Sequence, residues 1–248
     1  MDSSNSQINR SFLFGWVLAN IAGLPVLLIP YNVGFFLMLG FAIMSDGGAD
    51  ESMAYVAMGI GVVLLAFVGA IIGAWLGLLQ WLVLRKRISH TGRWVAATAI
   101  GMAVGAPLGS LLYGIIFAVF VDRPDGAYFS FAYEYLAFGP ALGLAIGVSQ
   151  GSLLKRWVKN TKYWIAALPV LFTMGMLFAN INRVTNTFIM PIHGFTQRLA
   201  TLFPSIKSIQ VFFVFEILTT VIALISVSLL TGILLDWLLR FQTKQALD

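Results

Sequence analysis

The chain has no cysteine and only two histidines, His90 and His193, among its 248 residues. Disulfide bonds, thiolate nucleophiles and cysteine-based metal sites are therefore excluded. The two histidines lie in different predicted loops, so we expect no histidine metal site. We find no Gly-x-Ser-x-Gly, His-Glu-x-x-His or phosphate-loop motif, and no paired carboxylates on one predicted helix. The sequence predicts a protein that is not an enzyme and that binds no cofactor or metal.

Charge is scarce as well. Charged residues make up 10% of the chain, whereas soluble domains contain about 25%. Hydrophobic residues make up 59%, and the mean hydropathy is +0.90. Long apolar runs recur, each able to cross about 30 Å of hydrocarbon. Lipid offers the backbone no hydrogen-bond partners, and the alternation of a barrel strand is absent, so the spans must be helical. We predict an all-α integral membrane protein that forms a single transmembrane domain over residues 1–248.

Six transmembrane helices are predicted, over residues 12–44, 54–84, 94–120, 131–154, 163–182 and 209–239. Residues 31–44 follow Pro30 and either continue the first helix outward or re-enter the bundle. The fifth and sixth helices are joined by a long outer loop over residues 183–208. Apolar residues on one helical face of this loop predict a short amphipathic helix over residues 194–204.

Eleven of the fifteen Lys and Arg residues lie on one side of this six-helix topology. They are Arg10, Arg85, Lys86, Arg87, Arg93, Lys155, Arg156, Lys159, Lys162, Arg240 and Lys244. The opposite loops carry Asp46, Asp50, Glu51, Asp122 and Asp125. Basic loops stay in the cytoplasm, so both termini are predicted to be inside (N-in/C-in). The net charge of +5 is thus interpreted as an orientation signal that can contact anionic lipid, with no nucleic-acid partner.

Two segments, residues 69–105 and 139–175, align without a gap as copies of one helix hairpin. In this alignment Gln80 matches Gln150 and Trp94 matches Trp164. A third, split copy is a further hypothesis, because residues 16–23 resemble residues 94–101. The sixth and first helices would then form the third hairpin, around a pseudo-threefold axis along the membrane normal.

Glycines at four-residue spacing give the repeated helices a smooth face. The aligned glycines are Gly69, Gly73 and Gly77 in one copy and Gly139, Gly143 and Gly147 in the other. Close backbone approach is a main source of helix association in lipid, so we predict that they pack helices within the bundle. The alternative is that they dock a separate partner protein.

Gln80 and Gln150 are predicted to cap or cross-link the hairpins at the inner rim, with a solute gate as the alternative.

Tryptophans accompany the basic turns. Their rings favour the headgroup layer, so we predict an interfacial belt, with cofactor stacking as the alternative. The belt comprises Trp81, Trp94, Trp157, Trp164 and Trp237.

Ionisable groups inside a membrane are functional candidates, and Glu216 is the strongest in this chain. Thr219, Thr220, Ala223 and Ser226 follow it at helical spacing and predict a small, polar face. We predict that Glu216 lines an outward-facing ligand pocket, or else pairs with Arg183 for structural reasons only. Asp236 is predicted to be neutralised by Arg240. The other candidate ligand-binding residues are Asn20, Glu134, Asn180, Asn182 and Arg183.

The run Gly-x-x-x-Gly-x-x-Gln-Trp-x-x-Leu-Arg at residues 73–85, with a basic turn and Trp94 after it, resembles a group of bacterial, often cyanobacterial, polytopic membrane proteins of uncharacterised activity. The resemblance covers about residues 69–175, although Gly151 stands where the second copy would carry the tryptophan. It implies a location in the bacterial cytoplasmic membrane or the thylakoid membrane.

The architecture also resembles the substrate-binding subunits of energy-coupling-factor transporters, with Gly15, Ala19 and Gly23 forming a small-residue face on the first helix. Two functions follow. The chain is a module that binds or transports a small solute, or it is a structural or assembly subunit that docks with other membrane proteins.

Overall fold

The computed structural model describes residues 9–23, 51–88, 92–120, 130–179 and 208–245. All secondary structure in these residues is helical, so the predicted fold class is confirmed there. The helices are α1 (Arg10–Ala22), α2 (Glu51–Leu84), α3 (Arg93–Phe120), α4 (Ser130–Leu154), α5 (Thr161–Ala179) and α6 (Ser208–Gln245).

Five helices, α2 to α6, contain stretches long and apolar enough to cross a membrane. By length and composition these are the helices of a multi-pass membrane protein. The bounds of α2 to α5 differ from the predicted ones by a few residues, and α6 runs six residues further, to Gln245. Of the first helix predicted over residues 12–44, the structure shows α1 ending at Ala22, and residues 24–44 lie outside the described residues. The predictions for the outer loop also lie outside them, up to residue 207.

Local hydrogen bonds define where the helices begin and end. Asn9 precedes α1, and its side-chain oxygen accepts the amide of Phe12 at 3.0 Å, which satisfies one of the free N–H groups of the first turn. The carbonyl of Leu84 at the end of α2 accepts the amides of Arg87 and Ile88 at 2.8 and 3.0 Å. At the end of α4, the carbonyl of Leu154 accepts two amides in the same way, at 2.9 and 2.7 Å. The α2–α3 and α4–α5 turns therefore begin with the same backbone geometry.

The helices are arranged in a ring. Each helix contacts its neighbours in the chain, and α6 contacts α1. The turns at residues 85–88 and 155–160 lie at one end of this ring, which we call the basic end. Arg87 contacts both Phe12 near the start of α1 and Asp236 towards the end of α6. The first and last helices therefore meet at the basic end.

The interior and exterior of the ring differ sharply at this end. Leu84, Leu154, Leu235 and Leu238 are fully buried and fill the centre. The outward faces of the same helices expose large apolar side chains along their whole length. An exposed apolar surface of this extent suits contact with lipid.

Candidate functional site

Three tryptophans are packed inside the basic end. Trp16 on α1, Trp94 on α3 and Trp164 on α5 are each 1% exposed. The ring centroids of Trp16 and Trp94 are 6.4 Å apart, at an interplanar angle of 71°. Those of Trp94 and Trp164 are 6.3 Å apart, at 56°. These tilted and edge-to-face arrangements are the ones that aromatic pairs prefer, so the three indoles form a plug across the interior.

Buried amides and hydroxyls connect the helices around this plug. Gln80 on α2 donates to Asn20 Oδ1 on α1 at 3.0 Å. Gln150 on α4 donates to Thr98 Oγ1 on α3 at 2.9 Å and to Gln80 Oε1 at 3.3 Å. All four side chains are at most 9% exposed. Each bond joins two helices inside the bundle, where water is not available as an alternative partner.

Backbone carbonyls determine which way the amides of this network point. Asn20 donates to the carbonyl of Trp16 at 2.8 Å, so its own oxygen faces the amide of Gln80. The oxygen of Gln80 must then face the indole N–H of Trp94, which it accepts at 2.9 Å. Thr98 donates to the carbonyl of Trp94 at 2.9 Å and accepts from Gln150. Donors and acceptors alternate along the path, so reversing any one of these amides would break at least two bonds.

The indole nitrogens have different partners. That of Trp16 donates to Thr231 Oγ1 on α6 at 3.1 Å, and that of Trp94 donates to Gln80. The nitrogen of Trp164 is buried and finds no acceptor among the described residues. We use the name tryptophan–amide cluster for Trp16, Asn20, Gln80, Trp94, Thr98, Gln150, Trp164 and Thr231.

The interfacial belt predicted for the tryptophans is wrong for Trp94 and Trp164. Both indoles point into the ring, because they lie on the inward faces of α3 and α5 beside the polar residues of the preceding helices. Trp237 is 44% exposed, and Trp81 and Trp157 are partly exposed. These three remain compatible with an interfacial position.

A second polar group lies beside the cluster at the basic end. We call it the ion-pair group, and it consists of Arg87, Asp236 and Arg240. Asp236 on α6 has a side chain that is 2% exposed, and Arg240 binds its Oδ2 at 2.7 Å. Arg87, in the α2–α3 turn, binds Oδ1 of the same carboxylate at 3.2 Å. The guanidinium of Arg87 also lies 4.9 Å from the ring centroid of Phe12. The predicted neutralisation by Arg240 is confirmed, and Arg87 is a second partner that the sequence did not indicate.

The predicted packing glycines lie at contacts between helices of the ring. A Cβ atom built on Gly73 would come 2.6 Å from the carbonyl oxygen of Thr98 on α3. On Gly143 it would come 2.5 Å from the carbonyl oxygen of Leu168 on α5. Gly69 and Gly77 face α3 in the same way, and Gly139 and Gly147 face α5. At Gly69, Gly73, Gly139 and Gly143 the built Cβ lies within 2.6 Å of the neighbouring backbone, so a larger side chain has no room there, whereas the contact at Gly147 is looser, at 3.2 Å.

The predicted ligand residues are not brought together by the described part of the structure. Asn20 lies in the tryptophan–amide cluster. Glu134 and Glu216 belong to α4 and α6, but their side chains lie outside the description, as do Asn180, Asn182 and Arg183. Of the small, polar face predicted after Glu216, Thr219 and Ala223 are buried, whereas Ser226 is exposed.

Sequence reasoning missed Thr98 and Thr231. A signal was present, because Thr98 follows Trp94 by four residues just as Asn20 follows Trp16. The cluster itself consists of indole, amide and hydroxyl groups, which hold no charge near neutral pH. The described residues contain no group of three His, Asp or Glu side chains placed to hold a metal ion. This arrangement can hydrogen-bond and pack, and it closes the ring at the basic end.

Comparisons with protein-family models, with curated proteins and with solved structures found no match to this chain.

Proposed function

We propose that this protein is a non-catalytic module with six membrane spans that binds a small solute from the side opposite the basic end. The observation that carries this proposal is the tryptophan–amide cluster, which fills the interior of the helix ring at the basic end. A solute would then reach the interior from the opposite end.

The inward face of α5 is apolar beyond the cluster. Thr161, Trp164 and Leu168 on its inward face are 3%, 1% and 1% exposed. Phe172 and Met176 continue the same face away from the basic end and are only partly buried. Apolar and aromatic walls with a few polar groups are typical of small-molecule sites. The proposed solute therefore contacts mainly apolar side chains and has few polar groups.

Charge supports the orientation within the membrane. The two turns of the basic end carry the exposed cations Arg85, Lys86, Lys155, Arg156 and Lys159. Basic loops favour the cytoplasm. The basic end would then face the cytoplasm, with both termini inside, and the solute would enter from outside.

The assembly alternative has less support. It requires the glycine faces to be free for a separate protein, but Gly69, Gly73, Gly139 and Gly143 lie against helices of the same chain. Docking of another subunit would have to use other surfaces.

The test is extraction in a mild detergent followed by native mass spectrometry. We expect a small molecule to remain bound to the wild-type protein and to be lost from Glu216→Gln. Ser226→Ala is the matched control, because Ser226 lies on the same helix with its side chain exposed. Retention of the molecule by Glu216→Gln would exclude Glu216 from the site. Retention of protein partners alone would favour the assembly function.

A further inference from the structure

Three helix pairs join one hairpin of the ring to the next, and they are not equally connected. The α1–α2 pair is linked by Asn20 and Gln80, and the α3–α4 pair is linked by Thr98 and Gln150. In both pairs the acceptor lies four residues after a buried tryptophan. The corresponding position on α5, four residues after Trp164, is Leu168, which is apolar. The α5–α6 pair therefore has no counterpart of this amide link at position 168.

Thr231 on α6 does not supply the missing link. Its hydroxyl accepts from Trp16 and donates to the carbonyl of Ser228, so it is used within α6 and α1. The α5–α6 seam does have a polar bond near its far end, where Thr219 donates to the carbonyl of Ala179 at 3.0 Å. At position 168 the corresponding side chain is the buried, apolar Leu168.

The backbones of α5 and α6 also approach less closely than those of α3 and α4. Cβ atoms built on Gly101 and Gly105 of α3 would meet Cα atoms of α4 at 2.7 and 2.9 Å. A Cβ atom on Gly175 of α5 meets only the side chain of Val227 on α6.

An aromatic pair joins α5 and α6 at the basic end. The ring centroids of Tyr163 on α5 and Trp237 on α6 are 6.0 Å apart, at 74°. The two side chains are 48% and 44% exposed, so they lie on the outside of the ring. The ammonium of Lys162 is 5.4 Å from the centroid of the Tyr163 ring. Tyrosine and tryptophan prefer the headgroup layer of a bilayer, and a lysine beside them adds a positive charge at that depth.

The exposed face that carries this pair continues along both helices. Met174 on α5 lies about three helical turns beyond Tyr163 and is 62% exposed. Leu230 on α6 lies about two turns before Trp237 and is 50% exposed. Because the two rings touch, the faces that carry them adjoin. They form an apolar path that leads from the aromatic pair towards the middle of the membrane.

The charge around the aromatic pair is positive. The turn before α5 adds Lys155, Arg156 and Lys159, all exposed. Asp236 is the acidic side chain described at this end, and Arg87 and Arg240 bind its two oxygens. A site of this kind attracts a negative headgroup, and basic sites between transmembrane helices hold anionic lipids in this way.

We propose that the α5–α6 seam binds an anionic phospholipid of the surrounding bilayer. The headgroup phosphate lies beside Lys162, Tyr163 and Trp237, and an acyl chain follows the path past Leu230 and Met174. The lipid covers the hairpin seam that lacks the amide link of the other two. This site is on the outside of the ring and does not depend on the solute proposed for the interior.

The test compares Lys162→Gln with Lys86→Gln, which removes an exposed lysine from the other basic turn. Each purified protein is titrated with phosphatidylglycerol or with phosphatidylcholine of the same chain length, and bound lipid is counted by native mass spectrometry. We expect the wild type and Lys86→Gln to retain phosphatidylglycerol equally, and Lys162→Gln to retain it about fivefold less tightly, the effect of one lysine beside anionic lipid. Thermal unfolding without added lipid checks that both variants are folded.

Three outcomes would overturn the proposal. Equal weakening by both substitutions would indicate a general attraction to the positive end of the protein. Equal retention of phosphatidylcholine would show that the headgroup charge is not recognised. Equal stabilisation by inorganic phosphate would point to a free-phosphate site instead of a lipid site.

Discussion

The side-chain amide of Gln150 donates a hydrogen bond to Thr98 at 2.9 Å, across 52 residues of sequence and from one hairpin to the next. The bond between Gln80 and Asn20 has the same position one hairpin earlier. The two glutamines differ in whether they also bond a buried tryptophan. Gln80 also accepts the indole N–H of Trp94, whereas the indole of Trp164 has no described acceptor.

This difference predicts unequal effects of removing the two glutamines. Gln80→Leu leaves the indole N–H of Trp94 and the oxygen of Asn20 buried without the partners seen here, and we expect a loss of about 2–4 kcal/mol. Gln150→Leu leaves Thr98 bonded to the carbonyl of Trp94, and we expect a loss of about 1 kcal/mol. The measurement is thermal and denaturant unfolding in detergent, followed by circular dichroism. A Gln150→Leu variant that is less stable than Gln80→Leu would contradict the bonding pattern.

Alanine substitutions at two glycines test the helix contacts, and we expect them to have different effects on stability. Gly143→Ala places a methyl group 2.5 Å from the backbone of α5, and we expect a loss of about 1–3 kcal/mol from the forced displacement. A Cβ atom built on Gly114 would lie in open space, with no contact within 4 Å. Gly114→Ala should therefore change stability little, or raise it by up to about 1 kcal/mol through helix propensity. Equal melting temperatures for the two variants would show that α4 and α5 do not depend on close approach at Gly143.

The sequence predicted the fold better than it predicted the tryptophan–amide cluster. Apolar length and basic turns were sufficient to predict α2 to α6, because the cost of unpaired backbone in lipid permits few alternatives. The ungapped alignment also paired Gln80 with Gln150, and both side chains lie in the same buried network. The rest of that network was not predictable, because a tryptophan near a basic turn suits both the headgroup layer and a buried plug. Trp94 differs from Trp237 only in the helix face that it occupies, and that face depends on how the helices assemble.

The ion-pair group predicts that Asp236 and Arg87 act together. Asp236→Asn should lower the free energy of unfolding by about 2 kcal/mol, since the carboxylate bonds two cations that retain some contact with water. Arg87→Gln should lower it by less. In the double variant the loss should be smaller than the sum of the two single losses, because both substitutions remove the same bond. If the two losses were strictly additive in a double-mutant cycle, the ion pair between Arg87 and Asp236 would contribute nothing to stability.

The orientation can be tested with single cysteines, because the wild-type chain contains none. Cysteines at positions 90 and 159 should be protected from an impermeant maleimide in intact cells, and cysteines at positions 50, 125 and 193 should react. The expectation follows from the distribution of basic residues between the loops. Labelling of position 159 from outside would overturn the proposed topology.

The contact between α6 and α1 has a consequence for biosynthesis. The bond from Trp16 to Thr231 spans 215 residues, so α1 lacks one of its two neighbours until α6 has been made. Until then, the indole N–H of Trp16 lacks its acceptor, and the side of α1 that will face Gly232 is open to lipid or to a membrane chaperone. Nascent chains that end before α6 should therefore remain substrates for insertion factors and quality-control proteases, and resistance should appear only once residue 231 has entered the bilayer.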